Sequence, residues 1–137
     1  MTSILNTKCA TRVVIGLALA GALSAAQAQA IPDGHRLFVQ NCSACHQVTG
    51  KGIPGAFPAL AGDKFVLNAR DDVIIRTVLQ GRAGMPAFAA SLDDNTLAAI
   101  LTYVRSAWGN KAPAVKPASV ARIRKTVSTG GSSPIHN

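Results

Sequence analysis

Cys42-Ser43-Ala44-Cys45-His46 decides how the rest of this chain is read. Two thiols at this spacing stand about one helical turn apart, so both can reach one edge of a flat ligand. An imidazole directly after the second thiol then lies beneath the ligand's centre. Covalent haem attachment has these requirements: the thiols add to the two porphyrin vinyl groups, and the imidazole becomes the proximal iron ligand. C-x-x-C alone is shared with redox dithiols and zinc sites. A thioredoxin-like pair needs a βαβ setting, and no strand–helix alternation surrounds this one. A structural zinc site needs four ligands. Beyond residue 30 only Cys42, Cys45, His35, His46 and His136 are available, with no second C-x-x-C. The motif therefore predicts a single haem c, bound through Cys42 and Cys45, with His46 on iron.

The N-terminal residues, 1–30, read as a secretory signal peptide. Lys8 and Arg12 precede an apolar run from Val13 to Ala26, and Ala26-Gln27-Ala28 and Ala28-Gln29-Ala30 are overlapping small-x-small cleavage sites. The run is shorter than the roughly 18–20 apolar residues of a spanning helix, so no transmembrane span is expected after cleavage. Cys9 lies before the run and resembles neither a lipidation site nor a haem ligand. Export places the mature protein in the periplasm or on the outer face of a cytoplasmic membrane. That compartment is oxidising, and two thioethers would leave the mature chain no free thiol.

Beyond residue 30 the length suits one domain, small enough to be marginal on its own side chains. A buried porphyrin would add apolar surface to the core, and the protein without haem is expected to be largely unfolded. Twelve basic side chains there face six acidic ones, a net charge of about +6 before haem propionates are counted. Such a surface suits nucleic acid, anionic lipid or an acidic protein. Outside the cytoplasm no nucleic acid is expected; an acidic redox protein is, and lipid stays open for the tail.

Helical signals dominate the mature chain. Pro32-Asp33-Gly34 opens a first helix to about Cys42, with Asp33 as N-cap and Leu37 and Phe38 inward. Glycines and prolines make 47–63 a loop, and Val66 to Ala69 allows one helical turn. Asp71-Asp72 begins a second helix at the positive end of its dipole, with Val73, Ile74, Thr77 and Val78 as its inner face and Gly81 as its end. Ser91 or Asp93 caps the strongest helix, whose stripe is Leu97, Ile100, Leu101, Val104 and Trp108; Gly109-Asn110 stops it. The tail is basic, with a short helix allowed from Pro117 to Thr126. No segment alternates with period two, so the fold is expected to be all-α.

The sixth position on a haem iron separates electron transfer from gas binding or catalysis. Beyond residue 30 the chain holds one methionine, Met85, in the loop Gly81-Arg82-Ala83-Gly84-Met85-Pro86-Ala87-Phe88. Gly84 allows close backbone approach and Pro86 stiffens the next step, as a rigidly held sulfur requires. Met85 lies on no helical stripe, which sets it apart from a packing methionine. His35, read as a surface residue near the haem edge, and His136, in the loose terminus, are the alternative ligands.

On these residues the chain resembles a class I c-type cytochrome over roughly 32–110. C-x-x-C-H and the downstream Gly84-Met85-Pro86 carry the resemblance. Gly34 and Phe38, with Ile100 and Tyr103, look like the family's crossed N- and C-terminal helices. Pro58-Ala59-Leu60 looks like the family's Pro-x-Leu, which implies that the Pro58 carbonyl accepts the His46 Nδ1–H; Pro54 is the competing candidate. Leu60, Phe57, Val78 and Leu101 are implied as haem wall. The run from Gly52 to Gly62, Met85-Pro86-Ala87-Phe88 and the run from Leu101 to Asn110 are similar to a narrower group. It comprises cytochrome subunits of membrane-bound alcohol and sugar-acid dehydrogenases and the haem domains of copper nitrite reductases. The segment from Val115 to Arg124 also resembles the stretch after the last helix in such proteins. Those subunits often carry three haems, whereas this chain has one motif.

The expectation is therefore an all-α cytochrome c fold, with three main helices and loops around one covalently bound haem. It divides into a signal peptide (1–30), a cytochrome c domain (31–110) and a basic, partly disordered C-terminal extension (111–137). The expected function is single-electron transfer in the periplasm between redox protein partners, with His46/Met85 axial ligation. The chain would serve as a shuttle or as a tightly bound subunit of a periplasmic dehydrogenase. Arg82 and Lys51 are either a basic rim that steers an acidic partner or merely solvated charges. No nucleophile–base constellation or carboxylate cluster suggests an enzyme.

Overall fold

The computed structural model describes residues 32–129. The expected signal peptide, His136 and the end of the tail lie outside the described residues. The helical segments, in chain order, are α1 (Gly34–Asn41), α2 (Ser43–His46), α3 (Lys64–Asn68), α4 (Asp71–Gln80), α5 (Asp94–Ser106) and α6 (Pro117–Thr129). Among the described residues there is no strand, only the isolated bridges Ile53–Phe57 and Arg82–Met85. The protein is all-α.

Helix starts obey side-chain chemistry. Asp33 accepts the Arg36 N–H, Asp63 that of Val66 and Asp93 that of Thr96, each satisfying a donor that the first turn leaves free. Asp71 and Asp72 lie in the first turn of α4, where the helix dipole favours negative charge. Of the two candidate caps for α5, the structure selects Asp93, which also accepts the Thr96 hydroxyl at 2.8 Å. The Thr96 N–H and hydroxyl hold the Asp93 carboxyl below its ordinary range. Its folded value is thus depressed, so the cap's contribution is present above the carboxylate range and lost as pH falls through it. Asp93→Ala should cost about 1 kcal/mol at neutral pH. Urea titration at pH 7 and again at acid pH should show that cost shrink as the cap protonates.

The helix crossing that organises the fold is α1 against α5. A Cβ at Gly34 would collide with the Ala99 carbonyl oxygen and lie 2.9 Å from Tyr103 Cβ, so only glycine permits this approach. Phe38 is fully buried beneath it, with its ring centroid 5.5 Å from that of Tyr103 and 5.2 Å from that of Trp108. These are ordinary aromatic packing distances.

Two readings of helix faces need correction. The stripe of α5 is buried at Leu97, Ile100, Leu101 and Val104, but the helix ends at Ser106. Trp108 lies beyond it at φ 54°, so it is a turn residue and not a continuation of the stripe. On α4, Val73 is exposed, while Ile75 and Leu79 are buried beside Ile74 and Thr77. The reason is α6. It packs on both α4 and α5 and buries Val120 and Ile123 in the common core, giving α4 a second covered side. The sequence boundary at residue 110 therefore separates segments that share one core, because Val115, Val120 and Ile123 belong to it.

Among the described residues one charge is enclosed. Arg105 is 3% exposed, donating Nη1 to Asp71 at 2.7 Å and Nη2 to the Ala69 carbonyl at 3.2 Å. It ties α5 to the start of α4. A buried guanidinium is tolerated when paired and hydrogen-bonded in this way.

Candidate haem site

A cavity of about 540 Å3 opens between the helices, within the roughly 300–1,000 Å3 of small-molecule and cofactor sites. Cys42, Cys45, His46, Pro58, Leu60 and Met85 all line it. The four residues implied as haem wall, Phe57, Leu60, Val78 and Leu101, line it too.

The thiol wall is built by a break between two helices. Cys42 leaves helical geometry at φ −126°, ψ −28°, yet its N–H still bonds Phe38 O at 2.8 Å. Its own carbonyl receives the N–H groups of Cys45 at 3.2 Å and His46 at 3.0 Å. One turn of backbone thus sets both thiols and the imidazole. The chain then runs out and returns so that His46 Nδ1 lies 3.0 Å from the Pro58 carbonyl oxygen. A carbonyl only accepts, so Nδ1 carries the proton and Nε2 keeps its lone pair as a metal donor. The carbonyl is that of Pro58, not of Pro54.

Nonlocal contacts hold this return in place. Asn110, 4% exposed, accepts the Gly62 N–H at 2.8 Å and donates to the carbonyls of Leu60 (3.0 Å) and Val104 (2.7 Å). Trp108 donates its indole N–H to Val48 O at 3.1 Å. Sequence reasoning read Asn110 as a helix stop and Trp108 as stripe. An amide just past a helix stop was the available signal for Asn110, without indicating its partners.

Met85 reaches the cavity from the turn after α4. Gly81 sits at φ +76°, and a Cβ there would lie 2.5 Å from Met85 O. That closeness lets Arg82 and Met85 exchange backbone bonds of 3.2 and 2.9 Å. His35 is exposed, its ring tilted against that of Tyr103 at 5.2 Å between centroids, and does not line the cavity. Arg82 does line it, its guanidinium 5.5 Å from the Phe65 ring centroid, a cation–π distance. Lys51 lies on an adjoining hollow of about 350 Å3 formed with 54–59.

The donor set fits haem. Burial and then the neighbouring Cys45 push the Cys42 thiol up to about 11, away from the lowered range of an activated redox thiolate. Among the described residues no group of three or more His, Cys, Asp and Glu could hold a metal ion. Two thiols one turn apart, an oriented imidazole and a thioether on one apolar cavity, within an all-α fold, define a covalent haem carrier.

Comparison with known proteins narrows this class. Residues 29–104 match the family described as cytochrome c oxidase, cbb3-type, subunit III. Cytochrome c-552 of Thermus thermophilus is 34% identical over 131 residues, covering 83% of this chain and 84% of that protein. The cytochrome c subunit of the quinone alcohol dehydrogenase of Gluconacetobacter polyoxogenes is 29% identical over 82% of this chain. The chain spans only 27% of that subunit's length. The solved c-type cytochrome KustC0563 superposes with a TM-score of 0.50 at 27% identity, covering 58% of this chain and all of that one. Cytochrome cL of Methylophaga aminisulfidivorans, 24% identical, shares the fold at a TM-score of 0.50 over 82% of this chain and 74% of its own. The chain belongs to the class I c-type cytochromes. It is a monohaem electron-transfer protein with covalent haem c.

Proposed function

We propose that this cytochrome is exported to the periplasm by residues 1–30, which are removed in the process, and passes single electrons between redox proteins. In this reading Cys42 and Cys45 would form the thioethers, His46 and Met85 would hold the iron, and Pro58 and Leu60 would complete the site. The observation that carries it is the convergence of all six residues on one cavity, with His46 Nδ1 engaged by Pro58 O. When bound there, haem supplies a one-electron Fe(III)/Fe(II) couple. The residues supply the rest. His46 is oriented before it meets iron, Met85 offers a neutral sulfur donor that favours the reduced state, and the apolar walls limit water. Among the described residues no helix is long and apolar enough to cross a membrane.

The test is carbon monoxide added to the reduced holoprotein at neutral pH. Slow or absent binding is expected; rapid, complete binding would remove Met85 as sixth ligand. Haem staining should find the protein in the periplasmic fraction, truncated at its N-terminus.

Lys51, on the adjoining hollow, and Arg82, on the cavity wall, are both exposed and are proposed to steer an acidic partner. Lys51→Glu and Arg82→Gln should each slow reduction by an acidic donor protein several-fold at low salt, with the difference vanishing near 1 M salt, where the screening length is about 3 Å. Salt-independent, unchanged rates would make them solvated charges only. A second reading, a dedicated dehydrogenase subunit, is favoured by the similarity to the alcohol dehydrogenase cytochrome subunit. Native size-exclusion separates the two: elution at low mass means a shuttle, and co-elution with a large flavin, molybdenum or quinone subunit means a dedicated relay.

A further inference from the structure

The chain from Met85 back into α5 is held differently at its two ends. Near Met85 the ties are backbone bonds to the last turn of α4: Phe88 N–H to Val78 O at 3.1 Å and Ala89 N–H to Leu79 O at 3.2 Å. The far end is held from another helix. Arg124 of α6 donates Nη1 to the Ala89 carbonyl, Nη2 to the Leu92 carbonyl at 2.6 Å and Nε to Asp94 Oδ1 at 2.8 Å. All three nitrogens of one guanidinium are thus engaged within 89–94. A planar fork does this with little loss of freedom per bond, where an ammonium offers a single centre. The side chain is 24% exposed, so water competes weakly. Its helix is anchored independently by Val120 and Ile123 in the core and by Arg76 Nη2 to Thr126 Oγ1 at 3.3 Å. No residue of α6 lines the cavity.

We propose that Arg124 is a positioning residue for Met85: through 86–94 it holds the sulfur at the iron without touching haem. The proposal rests on Met85 being the axial ligand. A thioether is a neutral donor whose residence on ferric iron depends on how rarely its loop swings away. Local opening is easiest where a segment has few buried contacts and exposed bonds, and the exposed 86–87 step beside Met85 is such a place. Pinning two main-chain carbonyls and the head of α5 from α6 closes the other route of escape. Because Val120 and Ile123 already seat α6, the guanidinium's bonds act chiefly on the loop.

The experiment uses ferric holoprotein of wild type, Arg124→Gln, Arg124→Lys and the exposed neighbour control Lys125→Gln. The sulfur–iron charge-transfer band and far-ultraviolet circular dichroism are monitored through one urea titration, and carbon monoxide association is timed on the reduced forms. Wild type and Lys125→Gln should lose band and helix together. Arg124→Gln should lose the band at lower urea than the helix signal, and bind carbon monoxide roughly tenfold faster, as a loss of about 1.4 kcal/mol in loop closure gives. Arg124→Lys should fall between them, and it carries the test if Arg124→Gln does not accumulate. Coincident loss of both signals in the Arg124 variants, with carbon monoxide rates unchanged, would overturn the proposal and leave Arg124 a support for α6. A wild-type protein that lacks the band, or binds carbon monoxide at the rate of an open site, would instead overturn the Met85 ligation on which it rests.

Discussion

Met85→Ala should keep its covalent haem, lose the sulfur–iron charge-transfer band and titrate at a lower potential. The drop should be on the order of 0.1 V or more, a modest share of the roughly 0.8 V that axial ligation spans. At about 59 mV per tenfold for one electron, that is some ~50-fold in the balance between oxidation states. The direction comes from the ligand: a soft thioether favours ferrous iron, so losing it raises the reduced state more than the oxidised one. The variant also isolates the side chain. The Arg82–Met85 backbone bonds and the close approach at Gly81 do not use the sulfur, so the turn should persist. The two cysteines and His46 belong to another segment of the chain. Reduced Met85→Ala should then bind carbon monoxide readily. Potentiometric titration with spectra of both states checks all three outcomes; an unchanged band and potential would refute Met85 as ligand.

What could be read before the structure was local. Cys42, Cys45 and His46 are set by one turn of backbone, and Met85 stands out by its Gly84 and Pro86 neighbours. The three main helices were legible because caps and apolar spacing act within a few residues: Asp33 bonds Arg36 and Asp93 bonds Thr96. Pro58 and Pro54 could not be separated from sequence, since the choice depends on how 47–63 returns to His46. That path is set by Asn110, whose partners Gly62 and Leu60 are 48 and 50 residues away. The inner face of α4 was assigned for one packing partner; with α6 as a second, Ile75 and Leu79 are buried and Val73 is not. Trp108 was extrapolated along a stripe that Ala107 ends in extended geometry. Arg105 broke the rule that charge faces outward, because Asp71, 34 residues earlier, comes to meet it. The choice of Pro58, the inner face of α4 and the burial of Arg105 all depend on contacts made across the fold.

Cys45→Ala should leave at most single-thioether haem and little stable protein. The reason lies in the volume of the core. The cavity is walled by Phe38, Ile100, Leu101 and Val104, which are also core residues, so the haem pocket and the hydrophobic core are the same place. Without haem, a cavity of about 540 Å3 would leave these core side chains without packing partners on one side, in a domain whose whole stability is roughly 5–15 kcal/mol. A chain that does not retain its macrocycle cannot keep these walls apart and stay folded. One thioether at Cys42 still tethers haem close to His46, so a fraction of the variant should fold with haem bound and melt well below wild type. Gel haem staining reports the covalent fraction and circular dichroism the folded one, and the two should fall together across Cys42→Ala, Cys45→Ala and the double variant. Full-level, fully helical protein from the double variant, free of haem, would show that side chains alone close this core. Folding would then not depend on haem.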